Sequence, residues 1–235
     1  MVNHKKIFTK NDEKQKVFTW QSNWISQLES PWSIFEKFRY LNSITNREFF
    51  NNFCLKELKR PAGFIANKHK DLITLSAFDK TKLLSAFNID LIKFNNENLE
   101  RLLDVQNKYI GSYLDQKLHY CPICIKNGFH SLLHQYKELE YCPYHDVRLQ
   151  NACENCERHL PYQIDEKYNR EPFKCICGLN LLIDNNNLVI TEWKTLQLNE
   201  IRNQKIITWL NYENISLRQF LFNHSIKTEF EKLFN

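Results

Sequence analysis

The stretch YCPICIKNGFHSLLHQYKELEYCPYHDVRLQNACENC, residues 120–156, constrains this chain more than any other part of it. Its cysteines and one histidine come in pairs separated by two residues, and Cys175 and Cys177 follow with a single residue between them. Taken in order they make two sets of four: Cys121, Cys124, Cys142 and His145, then Cys153, Cys156, Cys175 and Cys177. A two-residue gap folds the chain into a tight knuckle that turns both side chains toward one ion. Two such pairs, here 17 and 18 residues apart, close a tetrahedral thiolate and imidazole site suited to Zn²⁺. Four protein ligands leave no coordination position for water, so two structural zinc ions are expected and a catalytic one is not.

The other readings of these thiols are weaker. The opening MVNHKKIFTKNDEKQKVF is charged, with no apolar run behind it, so it is not a secretory leader. No run approaches the ~18 apolar residues that span a bilayer. A soluble, cytoplasmic protein is therefore expected, where thiols stay reduced and disulfides are rare. Seven of the 8 cysteines are used by the two sets. The remaining one, Cys54, sits among Phe49, Phe50 and Phe53 and reads as a small buried hydrophobe. His130 and His134, spaced i, i+4, read as hydrogen-bonding residues that orient the loop between ligand pairs, because both sets are already full. His119 and His159 read as surface residues.

Outside this module the pattern is helical. Only 4 glycines and 6 prolines occur in 235 residues, against 17 phenylalanines, which disfavours a many-stranded fold. Trp20 and Trp24 anchor an irregular lead-in. Ser30-Pro31 reads as N-cap and first helical residue of a helix bearing Ile34, Phe35, Phe38 and Leu41. TNRE (45–48) is a capping box that opens a second helix at about Asn46, carrying Phe49, Phe50 and Phe53. Asp79 caps a third with Leu83, Leu84 and Phe87, and Asn96 a fourth with Leu99, Leu102 and Leu103. LNLLIDNNNLVI (179–190) reads as two short strands around an Asn-rich turn. Helix returns with Leu196, Ile201, Ile206, Trp209 and Leu210, then Leu217, Phe220 and Leu221. The expected fold is mainly α with small zinc-stabilised β/loop modules. Residues 1–115 form a helical region with a helix-turn-helix-like pair, 116–190 the double zinc module, and 191–235 a C-terminal helical segment.

The formal charge of +5 is unevenly spread. Residues 1–70 hold 13 Lys/Arg against 6 Asp/Glu, and the rest holds 19 against 21. A basic first third fits either a nucleic-acid-facing element or a solvated helical surface. Two helices joined by a short turn, with Arg39, Arg47, Lys56, Lys59 and Arg60 on or beside them, resemble a helix-turn-helix, and these five are the candidate nucleic-acid contacts. No H-E-x-x-H, phosphate-binding loop or G-x-S-x-G elbow occurs, so no enzymatic activity is expected. Scattered carboxylates keep a metal-dependent nuclease as an alternative.

The order of these elements resembles the TniQ/TnsD family of transposition target-selection proteins. The resemblance is carried by Tyr120 to Cys124, by Gly128, His130, His134 and Gln135, by Cys142 to His145, and by Cys153 with Cys156. ESPWSIFEKFRYLN resembles the family's N-terminal segment, and the match covers roughly residues 25–180. The resemblance implies a non-enzymatic adaptor that engages target DNA or an RNA-guided complex and recruits an AAA+ ATPase regulator of the transposase. Self-association as a homodimer is compatible with it. Long members of the family carry a sizeable C-terminal extension, whereas 58 residues follow Cys177 here. A short adaptor or a truncated chain is therefore expected. The competing readings are a zinc-ribbon nuclease or transposase fragment and a stand-alone helix-turn-helix regulator.

Overall fold

Ser30 and Pro31 start the helix around which the chain is built. A computed structural model describes residues 17–59, 71–102, 113–137, 139–182, 193 and 195–211. Helix α1, Pro31–Asn42, begins where the Ser30 hydroxyl accepts from the Ser33 amide and ends at Ser43 in the left-handed region (φ 49°). Helix α2, Asn46–Phe53, opens on the expected capping box between Thr45 and Glu48. Asp79 accepts from the Thr81 and Lys82 amides to cap α3, Lys80–Phe87.

The next helix, α4, differs from expectation. It runs Leu91–Leu102, with Asp90 accepting from the Lys93 amide as its cap, so Asn96 lies inside it. Two residues of capping type precede apolar positions there, and the earlier one starts the helix. Leu103 and residues 183–190 of the strand pair expected over 179–190 lie outside the described residues, and in the described part Asn180 makes only an isolated bridge to Lys174. So do Leu217, Phe220 and Leu221. A short helix α5, Pro122–Lys126, forms the first ligand knuckle. Leu196 and Ile201 flank a 3₁₀ turn, Leu198–Glu200. The last described helix, α6, Gln204–Leu210, starts only after Asn203 caps it. The apolar spacing there is helical, but two separate caps break it. Among the described residues, β structure consists of isolated antiparallel bridges, and no helix is long and apolar enough to cross a membrane.

Two apolar cores form. One gathers phenylalanines from α1, α2 and α3, with Phe38 and Phe87 centroids 4.4 Å apart and Phe35 and Phe49 4.8 Å apart. Cys54 is buried in it, and burial pushes its thiol up to about 12, so it packs as an inert hydrophobe. Cys153 and Cys175 belong to this same core. The other core joins Leu99 and Leu102 of α4 to Cys121, Cys124, Cys142 and to Trp209 and Leu210 of α6. Each ligand set thus sits in a different core, and both cores cross the sequence boundaries near residues 115 and 190.

Helix α1 is buried from Pro31 to Arg39, charged residues included. Lys37 pairs with Glu29 at 2.8 Å and donates to the Trp24 carbonyl at 2.6 Å. Arg39 pairs with Glu36 and donates to the Arg170 carbonyl at 3.1 Å. Glu36 in turn accepts from the Phe173 amide at 2.7 Å. Burial raises the Glu36 carboxyl above its ordinary range against the pull of Arg39, and burial lowers the Lys37 ammonium against the pull of Glu29. Arg39 is therefore withdrawn from the candidate nucleic-acid contacts. Its guanidinium is wholly inside the protein and committed to Glu36, beyond the reach of any phosphate.

Candidate metal centres and their supports

Both four-residue sets predicted from spacing come together, and in each the donor atoms lie within 4.8 Å of one another. In the inner set, His145 Nδ1 is 3.2 Å from Cys124 Sγ, 3.6 Å from Cys121 Sγ and 3.7 Å from Cys142 Sγ. Cys124 and Cys142 sulfurs are 3.7 Å apart. In the outer set, Cys153 and Cys177 sulfurs are 3.5 Å apart and Cys156 and Cys175 3.7 Å. A tetrahedron with ~2.3 Å metal–sulfur bonds puts its sulfurs roughly 3.8 Å apart, whereas a disulfide needs ~2.05 Å. All eight cysteines are free. The two sets therefore fit metal coordination, and either could hold an ion.

Three of the four knuckles share one backbone device. Asp146, Glu157 and Gly178 each follow the second ligand of a pair, and each has positive φ, at 54°, 57° and 95°. The reversal lets the Asp146 amide bond to the Cys142 carbonyl, and the Glu157 amide to the Cys153 carbonyl. Gly178 bonds back to Cys175 in the same way. This is how the tighter C-x-C pair still closes its site. The first knuckle instead continues as helix α5, where Cys121 Sγ accepts from the Cys124 amide at 3.4 Å.

The inner set is supported by the histidines of the intervening segment. The Ser131 amide donates to His134 Nδ1 at 3.3 Å, which fixes the proton on Nε2. That proton faces Cys142 Sγ at 3.4 Å. An imidazole donating to a ligating thiolate orients the sulfur and eases its negative charge. His134 thus hydrogen-bonds within the module beside a full set of four, in the orienting position expected of it. His130 is farther out. Its Nε2 donates to the His119 carbonyl at 2.8 Å, so Nδ1 accepts from the Ser30 hydroxyl at 2.7 Å. One histidine therefore ties the cap of α1 to the metal module. The bridge between Glu29 and Ser131 reinforces the link, with the Ser30 amide on the His130 carbonyl.

Gln135 completes the joint. It is fully buried, donates to the Asp115 and Lys117 carbonyls at 2.8 Å each, and accepts from the His119 amide. His119 is not the surface residue expected. It is half-buried, with Nε2 3.3 Å from Asp115, because its backbone is held by Gln135. His159 is exposed as expected.

His130 makes stability depend on pH. Burial holds its imidazole well below the ordinary value of 6.5. The unfolded chain therefore takes up a proton below pH ~6.5 that the folded one refuses. The contribution is complete above that pH and lost as pH falls toward the depressed folded value. In excess zinc, the thermal midpoint is expected to fall as pH drops from about 7.5 to about 5.5. His130→Gln should make that fall shallower, although its midpoint at neutral pH is lower. An unchanged slope in the variant would show that His130 is not the titrating group.

Gly128 shows why the joint needs glycine. It has φ 69°, and a Cβ there would lie 2.6 Å from Trp193 Cε3 and closer still to Cζ3. Gly128→Ala is expected to lose about 1–2 kcal/mol from the backbone and a further ~1–3 kcal/mol from overpacking. Urea unfolding measures it. Trp193→Ala in the same chain should recover the overpacking part, and strict additivity of the two changes would refute the contact as the cause.

The remaining candidate nucleic-acid residues are distributed differently from one another. Arg47 and Lys56 are exposed, and Lys59 is half-buried and donates to the Asn51 carbonyl at 2.6 Å. Arg60 lies outside the described residues. Lys82 of α3, not among the candidates from sequence, joins this group. Burial first, then the charges of Lys82 and Lys56, lower the Lys59 ammonium. Nothing in the spacing of Lys82 on a separate helix, 23 residues beyond Lys59, signals this convergence. No protein-family model and no curated protein sequence matches the chain.

Proposed function

We propose that the protein is a zinc-stabilised adaptor for transposition target selection, with no chemistry of its own. The observation that carries this reading is the pair of four-residue sets that could each hold a metal ion, beside internal roles for the very residues on which the TniQ/TnsD resemblance rests. His130 ties the metal module to the cap of α1, His134 faces Cys142, Gln135 holds the segment 115–119, and Gly128 packs under Trp193. Zinc suits sets of three thiolates with one imidazole and of four thiolates. A closed tetrahedral set supplies no water-activating position, which favours scaffolding over hydrolysis.

In this proposal the basic edge formed by Lys56, Lys59 and Lys82, with Arg47 on α2, meets a nucleic-acid backbone as the candidate helix-turn-helix surface. Another face engages an AAA+ ATPase. An adaptor that holds both raises the effective concentration of one at the other. Replacing Lys56, Lys59 and Lys82 by Ala is expected to weaken binding to a fluorescent duplex at low salt. The slope of log affinity against log salt should fall by about 0.9 for each phosphate no longer neutralised. Unchanged affinity and slope would move the nucleic-acid surface elsewhere. Co-purification with an AAA+ ATPase from the same element, with and without target DNA, tests recruitment. Metal-dependent DNA cleavage by the purified protein alone would replace the adaptor with the nuclease reading.

A further inference from the structure

The two ligand sets meet solvent in opposite ways. Cys121, Cys124 and Cys142 of the inner set are 0%, 1% and 2% exposed, and His134 covers one of the sulfurs. In the outer set Cys153 and Cys175 are buried, while Cys156 and Cys177 are exposed. The side-chain Nδ2 of Asn155 donates to Cys177 Sγ at 3.5 Å, and the Cys153 sulfur waits 3.5 Å away on the buried side. An accessible thiolate beside a resolving thiol is the arrangement in which oxidation runs on to a disulfide, whereas buried structural thiols are inert.

We propose that the outer set is a site of reversible thiol oxidation by peroxides, with Cys177 as the attacked residue and Cys153 as its resolving partner. The Cys177 thiolate attacks one peroxide oxygen, the O–O bond breaks, hydroxide leaves, and the sulfur becomes a sulfenic acid. The Cys153 thiolate then attacks that sulfur and displaces a second hydroxide, giving the Cys153–Cys177 disulfide. One peroxide is reduced by two electrons and two thiolates are oxidised by one each. The centre has then lost two of its four ligands, and a second peroxide can oxidise Cys156 and Cys175, 3.7 Å apart. A thiol reductant reverses both steps.

The loop between the outer pairs gives this chemistry a reach beyond the site. The Phe173 amide binds Glu36, the Arg170 carbonyl accepts from Arg39, and the Asn169 carbonyl accepts from Asn46 at 2.8 Å. Opening the outer centre therefore releases the segment that grips α1 and the start of α2. The inner centre, held by His134 and by the other core, keeps its ligands.

The test uses the purified full chain, treated with stepwise hydrogen peroxide. Metal release is followed with a metallochromic dye and thiols are mapped by differential alkylation after denaturation. The expected result is an early phase that loses half of the bound metal together with Cys153–Cys177 disulfide, while Cys121, Cys124 and Cys142 remain alkylatable. Equal oxidation of inner and outer thiols, or a first disulfide at another pair, would overturn the proposal. This chemistry rests on the reading that both sets are metal-loaded. The metal count before peroxide reports on that, and the order of thiol oxidation is read whatever the count. Cys177→Ser removes a ligand and is a poor test alone, so the mapping of the unaltered protein decides.

Discussion

Stripping the metal from both centres is expected to abolish the cooperative unfolding transition of the whole described fold. The reason is where the ligands sit. Three inner sulfurs are packed into the core that joins α4 to α6, and two outer sulfurs into the phenylalanine core of α1–α3. Thiolates crowded within 4.8 Å of one another in an apolar core repel unless a cation neutralises them. Structural zinc contributes about 10–16 kcal/mol in small modules, as much as the ~5–15 kcal/mol net stability of an ordinary domain. Chelator-treated protein should lose most of its helical circular dichroism or its urea transition and regain it with added zinc. Cys142→Ser should behave like partial stripping, because it also orphans the His134 Nε2 proton. A chelated, metal-free protein with an unshifted urea midpoint would show that the sets fold without an ion.

Arg39→Ala is expected to destabilise the protein by about 3–5 kcal/mol, the cost of leaving the Glu36 carboxylate buried without its partner. A surface arginine, as its place beside the basic residues suggested, would cost no more than about 0.5 kcal/mol either way. The two expectations are far enough apart for a single urea titration to decide. Glu36→Gln should cost a similar amount, since it strands the guanidinium. Replacing both together, as Glu36→Leu with Arg39→Met, should cost much less than the sum, because no uncompensated charge remains. A loss for Arg39→Ala within the surface range would place this side chain outside the interior network.

The metal sets were legible because knuckle spacing is local. Two residues between ligands set the bite, and the pairs need only meet once. The caps at Ser30, Thr45 and Asp79 were legible for the same reason, each being satisfied by amides two or three residues away. Asn96 misled because Asp90, another capping type, lay one turn and a half earlier and preceded the first buried residue, Leu91.

What the chain order alone established, then, is the grouping of Cys121, Cys124, Cys142 and His145 and of the four outer cysteines into two sets that could each hold a metal ion, and the starts of α1, α2 and α3. All depend on contacts within a few residues or on one repeated pattern. Only the tertiary structure decided the environment of α1. A helix with Glu36, Lys37 and Arg39 reads from its sequence as having a solvated, basic face. It is interior because Glu29, the Trp24 carbonyl, the Arg170 carbonyl and the Phe173 amide arrive to satisfy those charges. The last two of these come from more than 130 residues away. The same holds for Lys82 beside Lys59 and for Trp193 over Gly128. A charge announces its sign in the sequence, but the partner that permits its burial is chosen by packing between distant segments, which no local pattern encodes.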